Sequence, residues 1–332
     1  MRIGSNPNIH KTIDLSSKSH RVIIPVYIPN AEGYFTDAFA VFKVCIASLL
    51  KTINEDTVIT LISNASSDEV NQYIYQLWKD KKIDKAVFNK ENVGKMNAII
   101  AETRASFEEF ITYSDADVFF DKGWLKETFS IFKNFSKAGF VSMNPMPGSY
   151  GYASSAIIDA FFSGNIKISQ SSTVCDFQDL EHFHKSIGRD HQATEELYDK
   201  QIIYFTKNDV STLVGAGHFC CTIRKTPTLK YVPIKKSNIA VSGGSETIYL
   251  DLPFEKTGLW KLSSTKSYVW HMGNVLEKEW STKKLESISS FKEENFSFHS
   301  CMSYSKFLVS NWIPNPLKSK VVGIIKKIKA IK

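Results

Sequence analysis

The 332-residue sequence contains no Cys-x-x-Cys pair. Its five cysteines (Cys45, Cys175, Cys220, Cys221 and Cys301) are odd in number and scattered. This spacing argues against a zinc ribbon or a disulfide framework and fits a reducing, cytoplasmic setting. No unbroken run of about 18 apolar residues is present, so no membrane-spanning segment is expected. Met1–His20 is polar and lacks the apolar centre of a signal peptide. A broad basic surface is missing too. The net charge is +7, but Leu317–Lys332 holds six lysines and no acid, which leaves the rest of the chain close to neutral. That balance argues against a nucleic-acid-binding body.

The sequence does have apolar and aromatic residues, at 43% and 13% of the chain, enough for one large core or two smaller ones. Arg21–Asn30 reads as a first strand ending in a proline-punctuated loop, and Phe39–Leu50 as a helix with apolar residues at helical spacing. Thr57–Ile62 is a second strand. A helix that Ser67 can cap follows it and runs to about Trp78. Lys85–Phe88 is a short third strand. The segment Asn89–Ala98 then opens a helix around Gly94. Alternating strands and helices imply an α/β fold with a doubly wound, mostly parallel sheet, Rossmann-like, with helices on both faces.

The next strand, Phe110–Phe120, carries two carboxylates one residue apart, Asp115 and Asp117. An apolar run ending in acid suggests a buried strand delivering charge to its carboxyl edge, where open α/β sheets bind ligands. Alternate strand residues face one way, so both acids can serve one site. Two like charges so close call for a neutralising partner. A divalent cation is one, and it can hold a diphosphate on its far side. Phe161–Asp209 is polar and rich in Ser, His and acid, and reads as an insertion over the site, a mobile lid outside the core. His182, His184 and His191 crowd that stretch at spacings too irregular for a metal site. Gly215–Gly217 lacks the glycine pattern of a nicotinamide site and instead gives a ligand room near the backbone.

Taken in order, these pieces resemble the GT-A nucleotide-sugar glycosyltransferases, most closely the family 2-like ones, over roughly His20 to Asn274. The likeness rests on the first strand with Pro25 and Tyr27, the second strand ending at Asn64, Asn92-x-Gly94-Lys95-x-Asn97, Asp115-x-Asp117, and Glu246 followed by Asp251, Gly258 and His271. The resemblance implies a base pocket at Pro25 and Tyr27, with nucleotide or ribose contacts from Asn92, Gly94 and Lys95. It places Asp115, with Ala116 beside it, at the ribose or sugar, and Asp117 and His271 at the metal. Asn64 stands where the family usually has an aspartate reading uracil, which leaves the base open. Glu246 matches the acidic motif beside the acceptor, but Thr247 replaces its second carboxylate. Glu246 is therefore the expected general base and Asp251 its rival.

The chemistry so implied is transfer from a nucleotide-sugar, expected to be a UDP-sugar, to a glycan or lipid-linked acceptor hydroxyl, in cell-surface polysaccharide synthesis. Mn²⁺ or Mg²⁺ would neutralise the diphosphate, and an Asp/His ligand set suits Mn²⁺. The family's dominant route is inverting displacement, though the sequence does not fix stereochemistry. The rivals are a nucleotidyltransferase on a similar sheet, which would want a loop richer in glycine and arginine than Pro25–Gly33, and a catalytically dead sugar- or membrane-binding scaffold. The expected organisation is a leader at 1–19 and a catalytic domain at 20–280. That domain's nucleotide half runs to about 145, its acceptor half carries the 161–209 insertion, and a helical extension follows at 281–332. On a helical wheel, Leu317, Val321, Ile324, Ile325, Ile328 and Ile331 share one arc, with lysines opposite and flanking. Beyond Pro314 and Pro316, such a helix would lie on an anionic membrane and make the protein peripheral on its inner face.

Overall fold

The computed structural model describes residues 3–13, 18–147, 154–198, 202–241, 244–296, 298–305 and 309–330. The chain begins β1 (His20–Val26), α1 (Ala38–Thr52), β2 (Thr57–Asn64), α2 (Asp68–Lys79), β3 (Lys85–Asn89), α3 (Lys95–Ala105) and β4 (Phe110–Ser114). It continues through β5 (Val118–Phe120), α4 (Trp124–Asn134), β6 (Ala138–Ser142), α5 (Ser154–Ser163), β7 (Lys167–Ser171), α6 (Phe177–Ser186), α7 (His191–Tyr198), β8 (Ile202–Lys207), β9 (Val210–Val214) and β10 (Cys220–Arg224). The last third holds α8 (Lys225–Leu229), a π-helical turn (Thr247–Asp251), α9 (Leu252–Thr257), β11 (Trp260–Ser263), β12 (Val269–His271), α10 (Lys278–Ser287), α11 (His299–Met302) and α12 (Asn315–Ala330).

Ten strands form one sheet in the order β3-β2-β1-β4-β10-β6-β11-β9-β8-β7. Its first four strands are parallel, as the alternating pattern predicts. β2 is buried at all eight positions, which is why Val58, Ile59, Leu61 and Ile62 do not alternate with exposed polar residues. Along β1, Val22, Ile24 and Val26 join a core cluster on one face while Ile23 joins a second cluster on the other, so both faces are covered. α2 shows how a helix is set. Asp68 and Glu69 lie in its first turn and Lys79 in its last, complementing the helix dipole. Val70, Ile74 and Leu77 fall on one face and are buried. Each such burial is worth roughly 1.5–3 kcal/mol.

Two sequence expectations change here, and a third point bears on the expected lack of a membrane span. First, the Asp-x-Asp stretch is not one strand. The chain leaves β4 at Asp115 and turns through Ala116 and Asp117. It re-forms as β5, which pairs antiparallel with β12 in a separate two-stranded sheet. Second, the polar segment 161–209 is no lid outside the core. β7 and β8 pair antiparallel, extend the main sheet through β9, and bury Ile168, Ile203 and Phe205 in its larger core cluster. The polar residues mask a two-stranded edge whose inward face is apolar. Third, residues 33–52 reach the length and mean hydropathy (1.5) of a membrane span. Yet Val41, Phe42, Cys45, Ile46 and Leu49 of α1 are buried in the protein core.

The C-terminal helix also differs from a free tail. α12 packs on α5 and β7 and buries Val322 and Ile325. Lys318 Nζ donates to Ser155 Oγ on α5 at 3.3 Å. Leu317, Ile324 and Ile328 remain exposed. Ile331 and Lys332 lie outside the described residues.

Candidate active site

The carboxyl ends of β1, β2 and β4 open onto a cavity of about 410 Å³ lined by Pro25, Tyr27, Asn64, Asn92, Lys95, Asp115, Ala116 and Asp117. The structure thus gathers every expected nucleotide-side residue except Gly94, which lies beside it as the residue before α3. Tyr27 is 43% exposed and meets Phe35 edge-on. Its free face suits stacking on a planar base.

Asn64 is a hub for the loop that follows β3. Its Oδ1 accepts from Asn89 Nδ2 at 3.2 Å and from the Val93 amide at 3.0 Å, and its Nδ2 donates to Asn92 Oδ1 at 2.8 Å. Asn92 Oδ1 also accepts from the Gly94 amide at 2.9 Å. The amide therefore folds this loop, with one N–H left over for a ligand. Gly94 sits at φ 86°, ψ 146°, a region essentially closed to side chains, and an added Cβ would lie 3.0 Å from the Ile239 carbonyl. That tightness lets the 237–241 loop close over the start of α3. Lys95 N donates to Ala240 O at 2.7 Å, and Asn97 Nδ2 donates to Ser237 O at 2.8 Å. Ala240 and Val241 then wall the cavity. Sequence reading missed this loop, which carries no motif.

Backbone bonds staple the acidic turn in place. The Asp115 amide donates to Phe219 O, and the Met272 amide donates to Asp117 O, both at 2.8 Å. These bonds draw the segments around residues 218 and 271 to the turn. Ligand atoms of Asp115, Asp117 and His271 lie within 4.8 Å of one another, with His271 Nε2 3.5 Å from Asp117 Oδ2. Asp117 Oδ1 is sealed from solvent with no hydrogen-bond partner. Burial pushes the Asp117 carboxyl above its usual range, with His271 opposing and Asp115 adding to the rise. An orphaned, buried carboxylate oxygen beside a second carboxylate and an imidazole is a donor set suited to a divalent cation. Ser186 on α6 lies 3.0 Å from His271 Nδ1, which orients the ring with Nε2 toward the acids. His182, stacked on Trp280, lies 3.2 Å from the His271 carbonyl through Nε2. The segment read as a lid thus positions the expected metal histidine. His184 is buried against Thr194, and His191 pairs on the surface with Glu181.

A second cavity of about 460 Å³ adjoins the first and shares Lys95 and Asp115 with it. Its walls include Phe183, His218, Glu246, Asp251, Lys261 and His271. Lys95 Nζ lies 2.5 Å from Asp115 Oδ1 and 3.6 Å from Glu246 Oε1. Burial works to lower the Lys95 pKa, but the surrounding carboxylates, Asp115 foremost, raise it overall. Glu246 also accepts from Ser245 Oγ at 2.9 Å. Burial would raise its carboxyl, yet its own backbone amide and Lys95 hold it below the usual range. Asp251 is buried on the π turn, where it pairs with Lys261 and with His218 Nε2, the latter at 2.9 Å. Burial again works upward, but the His218 and Lys261 bonds prevail and hold it low. His218 and Lys261 escaped the sequence reading because they stand 33 and 10 residues from Asp251 with no motif between.

Residues 22–173 match the family model described as glycosyl transferase family 2. That match covers somewhat less than half of the chain, whose mixed sheet, parallel over its first four strands and with helices on its faces, is of the GT-A α/β type. No curated protein matches it significantly. Among solved structures it is similar to S. aureus TarS (residues 1–349), at 15% identity and TM-score 0.32 over 40% of this chain and 39% of that one. It is also similar to the mannosyltransferase PcManGT from Pyrobaculum calidifontis in complex with GDP-Man and Mn²⁺, at 11% identity and TM-score 0.44 over 97% and 79% of the two chains. A third is GalNAc-T7 with UDP, GalNAc and Mn²⁺, at 14% identity and TM-score 0.45 over 78% and 44%. The match spans about two fifths of the TarS chain. The family match covers β1 to β7 and stops before His218, which precedes β10, and before Lys261 on β11 and His271 on β12.

Proposed function

We propose that this protein is a cation-dependent glycosyltransferase. A nucleoside diphosphate-sugar, with UDP the expected nucleotide, fills the first cavity. An acceptor hydroxyl enters the second, and the sugar crosses between them with inversion. The observation that carries this reading is that the two cavities meet at Lys95 and Asp115, beside the orphaned oxygen of Asp117. Asp115, Asp117 and His271 would hold Mn²⁺ or Mg²⁺ there. When bound, that ion supplies Lewis-acid neutralisation of the diphosphate.

The chain's own residues do the rest. Tyr27 stacks on the base, and the spare N–H of Asn64 meets a base carbonyl. The Asn92–Lys95 loop faces the ribose and diphosphate. Lys95 exchanges its Asp115 partner for leaving-group charge. Fixing both reactants in line contributes roughly 7–11 kcal/mol toward the barrier. A thermal-shift panel of UDP, GDP, CMP and dTDP, each with and without Mn²⁺, tests the reading. One nucleotide should raise the midpoint, and only with Mn²⁺, by binding the native state alone. Its sugar conjugate should then be turned over. No stabilisation by any nucleotide rejects a donor site, and binding without turnover leaves a sugar-binding scaffold.

The acceptor is proposed to be a glycan or lipid-linked hydroxyl of cell-surface polysaccharide synthesis, reached at the inner face of an anionic membrane. α12 supports this. At 100° per residue, exposed Leu317, Ile324 and Ile328 form a stripe about 40° wide. Lys320 and Lys327 flank it on the side away from buried Val322 and Ile325. Trp312, 78% exposed, precedes the helix. Apolar insertion beside lysines suits an anionic lipid surface, with about 1 kcal/mol from each lysine. Flotation with phosphatidylglycerol vesicles should be salt-sensitive, absent with phosphatidylcholine alone, and lost in Ile324→Ser/Ile328→Ser. Equal flotation of the variant rejects this surface.

A further inference from the structure

The expected bases, Glu246 and Asp251, are both committed elsewhere. Glu246 lies against Lys95 and accepts from Ser245, and Asp251 is buried between Lys261 and His218. A carboxylate whose charge is offset by a neighbouring ammonium is a weak proton acceptor. His218 differs. Its side chain is 32% exposed and lines the second cavity, and its ring packs edge-on to Phe140. A carboxylate cannot donate, so the proton of the neutral imidazole sits on Nε2, 2.9 Å from Asp251 Oδ1. The lone pair is then on Nδ1, which no described residue engages. Lys261, itself buried, keeps Asp251 ionised and thereby fixes that tautomer.

Resting on the glycosyl-transfer reading above, we infer that His218 is the general base of the reaction and that Asp251 and Lys261 are its positioning residues. The acceptor O–H proton passes to His218 Nδ1. The acceptor oxygen forms its bond to the anomeric carbon as the bond from that carbon to the diphosphate oxygen breaks, and the electron pair leaves on the diphosphate. The imidazolium so formed faces Asp251 and Glu246, whose negative charges stabilise it, while Lys261 and Lys95 keep those acids ionised until the proton arrives.

The test uses the full chain with Mn²⁺ and water as acceptor, following UDP release from UDP-glucose, UDP-galactose, UDP-N-acetylglucosamine and UDP-N-acetylgalactosamine. UDP affinity is measured alongside by calorimetry. His218→Ala should lower UDP release about 10²–10⁴-fold while UDP affinity with Mn²⁺ stays within about twofold. Added imidazole should restore at least tenfold of the loss, a rescue that a purely structural role would not show. The fall in wild-type rate toward acid pH should disappear in His218→Ala and persist in Glu246→Gln. The assignment is overturned if His218→Ala keeps its rate within about threefold, or if its loss is not rescued and the acid limb vanishes with Glu246→Gln instead. It is also overturned if wild type binds UDP with Mn²⁺ yet hydrolyses none of the four donors. A wild type that binds no UDP with Mn²⁺ fails earlier and takes the glycosyl-transfer reading with it.

Discussion

The two halves of the central sheet build their polar sites differently. In the parallel half, β3 to β4, site residues sit just past strand ends, within one loop of the apolar run that announces them. Asn64 ends β2, Lys95 begins α3, and Asp115 follows β4 directly. In the half from β10 outward, the polar residues come from separate elements, His218 just before β10, Asp251 on the π-helical turn and Lys261 on β11, and they meet only through distant strand pairing. Cys220 lies beside Ser114, and Trp260 beside Ala138. Local chemistry positions the first set, and the topology of the whole sheet positions the second. The two should therefore respond differently to substitution, with folding and chemistry linked in the second half and separable in the first.

The sharpest break between the halves is expected at Lys261, on β11. Lys261→Met would leave Asp251 buried with only His218 opposite, and losing one partner of such a pair typically costs about 3–5 kcal/mol. Urea unfolding should show a loss of that size. If the melt barely moves, the polar centre of this half is solvated, and the contrast fails. Asp117→Ala is expected to do the reverse. It removes a proposed metal ligand from an acidic turn that backbone bonds already hold, so unfolding should change little. Mn²⁺-dependent donor turnover should fall about 10³-fold, matching several kcal/mol of lost charge stabilisation. Undiminished turnover would disconnect the acidic turn from the chemistry.

Gly94→Ala should fall between these. Its backbone lies in a region that costs roughly 1–3 kcal/mol for a residue with a side chain, and the new Cβ would press on Ile239 O. Because the glycine supports the loop wall of the first cavity, nucleotide affinity should drop together with the melting midpoint. A variant that melts normally and binds normally would show that the 237–241 loop closes without this fit. Ser186→Ala probes the seam between the halves. It deletes the hydroxyl beside His271 Nδ1, and losing such an outer partner typically lowers metal affinity about 10–100-fold. Mn²⁺ titration should show that drop with little change in stability. Unchanged affinity would separate α6 from the metal site.

What the sequence made legible follows the same division. Asp115 and Asp117 were readable because acids at the end of an apolar run stand out, whereas Asn92 and Lys95 were singled out through the family resemblance, in a stretch where strand, loop and helix alternate over short distances. The break of the Asp-x-Asp stretch into β4 and β5 was not readable, since Val118–Phe120 is as β-prone as Phe110–Ser114, and only the pairing with β12 removes it from the main sheet. His271 was found through its family motif. Its Ser186 partner lies 85 residues away in a segment whose polar composition disguised a structural edge. The wheel drawn for the tail grouped Ile325 with Ile324 and Ile328. Packing on α5 divides that arc, because a helix docked on a body spends part of its apolar surface inward.

Histidines at the two ends of the sheet offer the finest version of the comparison. His218 and His271 stand at the ligand-binding edge, whereas His20 opens β1 at the opposite end, fully buried, with Nδ1 3.0 Å from Thr57 Oγ1 and Nε2 2.7 Å from Thr112 Oγ1. Burial, with Arg21 adding, lowers the His20 pKa to about 3. Between about pH 6.5 and pH 3 the unfolded chain therefore binds a proton here that the folded chain does not. The contribution to stability is fully present above pH 6.5 and is lost as the pH falls toward 3, by up to about 1.4 kcal/mol per pH unit. Carboxyls raised by burial, such as Asp117 and Glu127, work in the opposite sense, so the wild-type curve alone mixes the two. Urea series on wild type and His20→Gln across that window isolate the term. The variant will have its own midpoint at neutral pH, but the gap between the two curves should shift in its favour on acidification, with a slope approaching one proton. Parallel curves would mean that His20 is reached by water and titrates in the fold, which would make the closed end of the sheet as open as its ligand-binding edge.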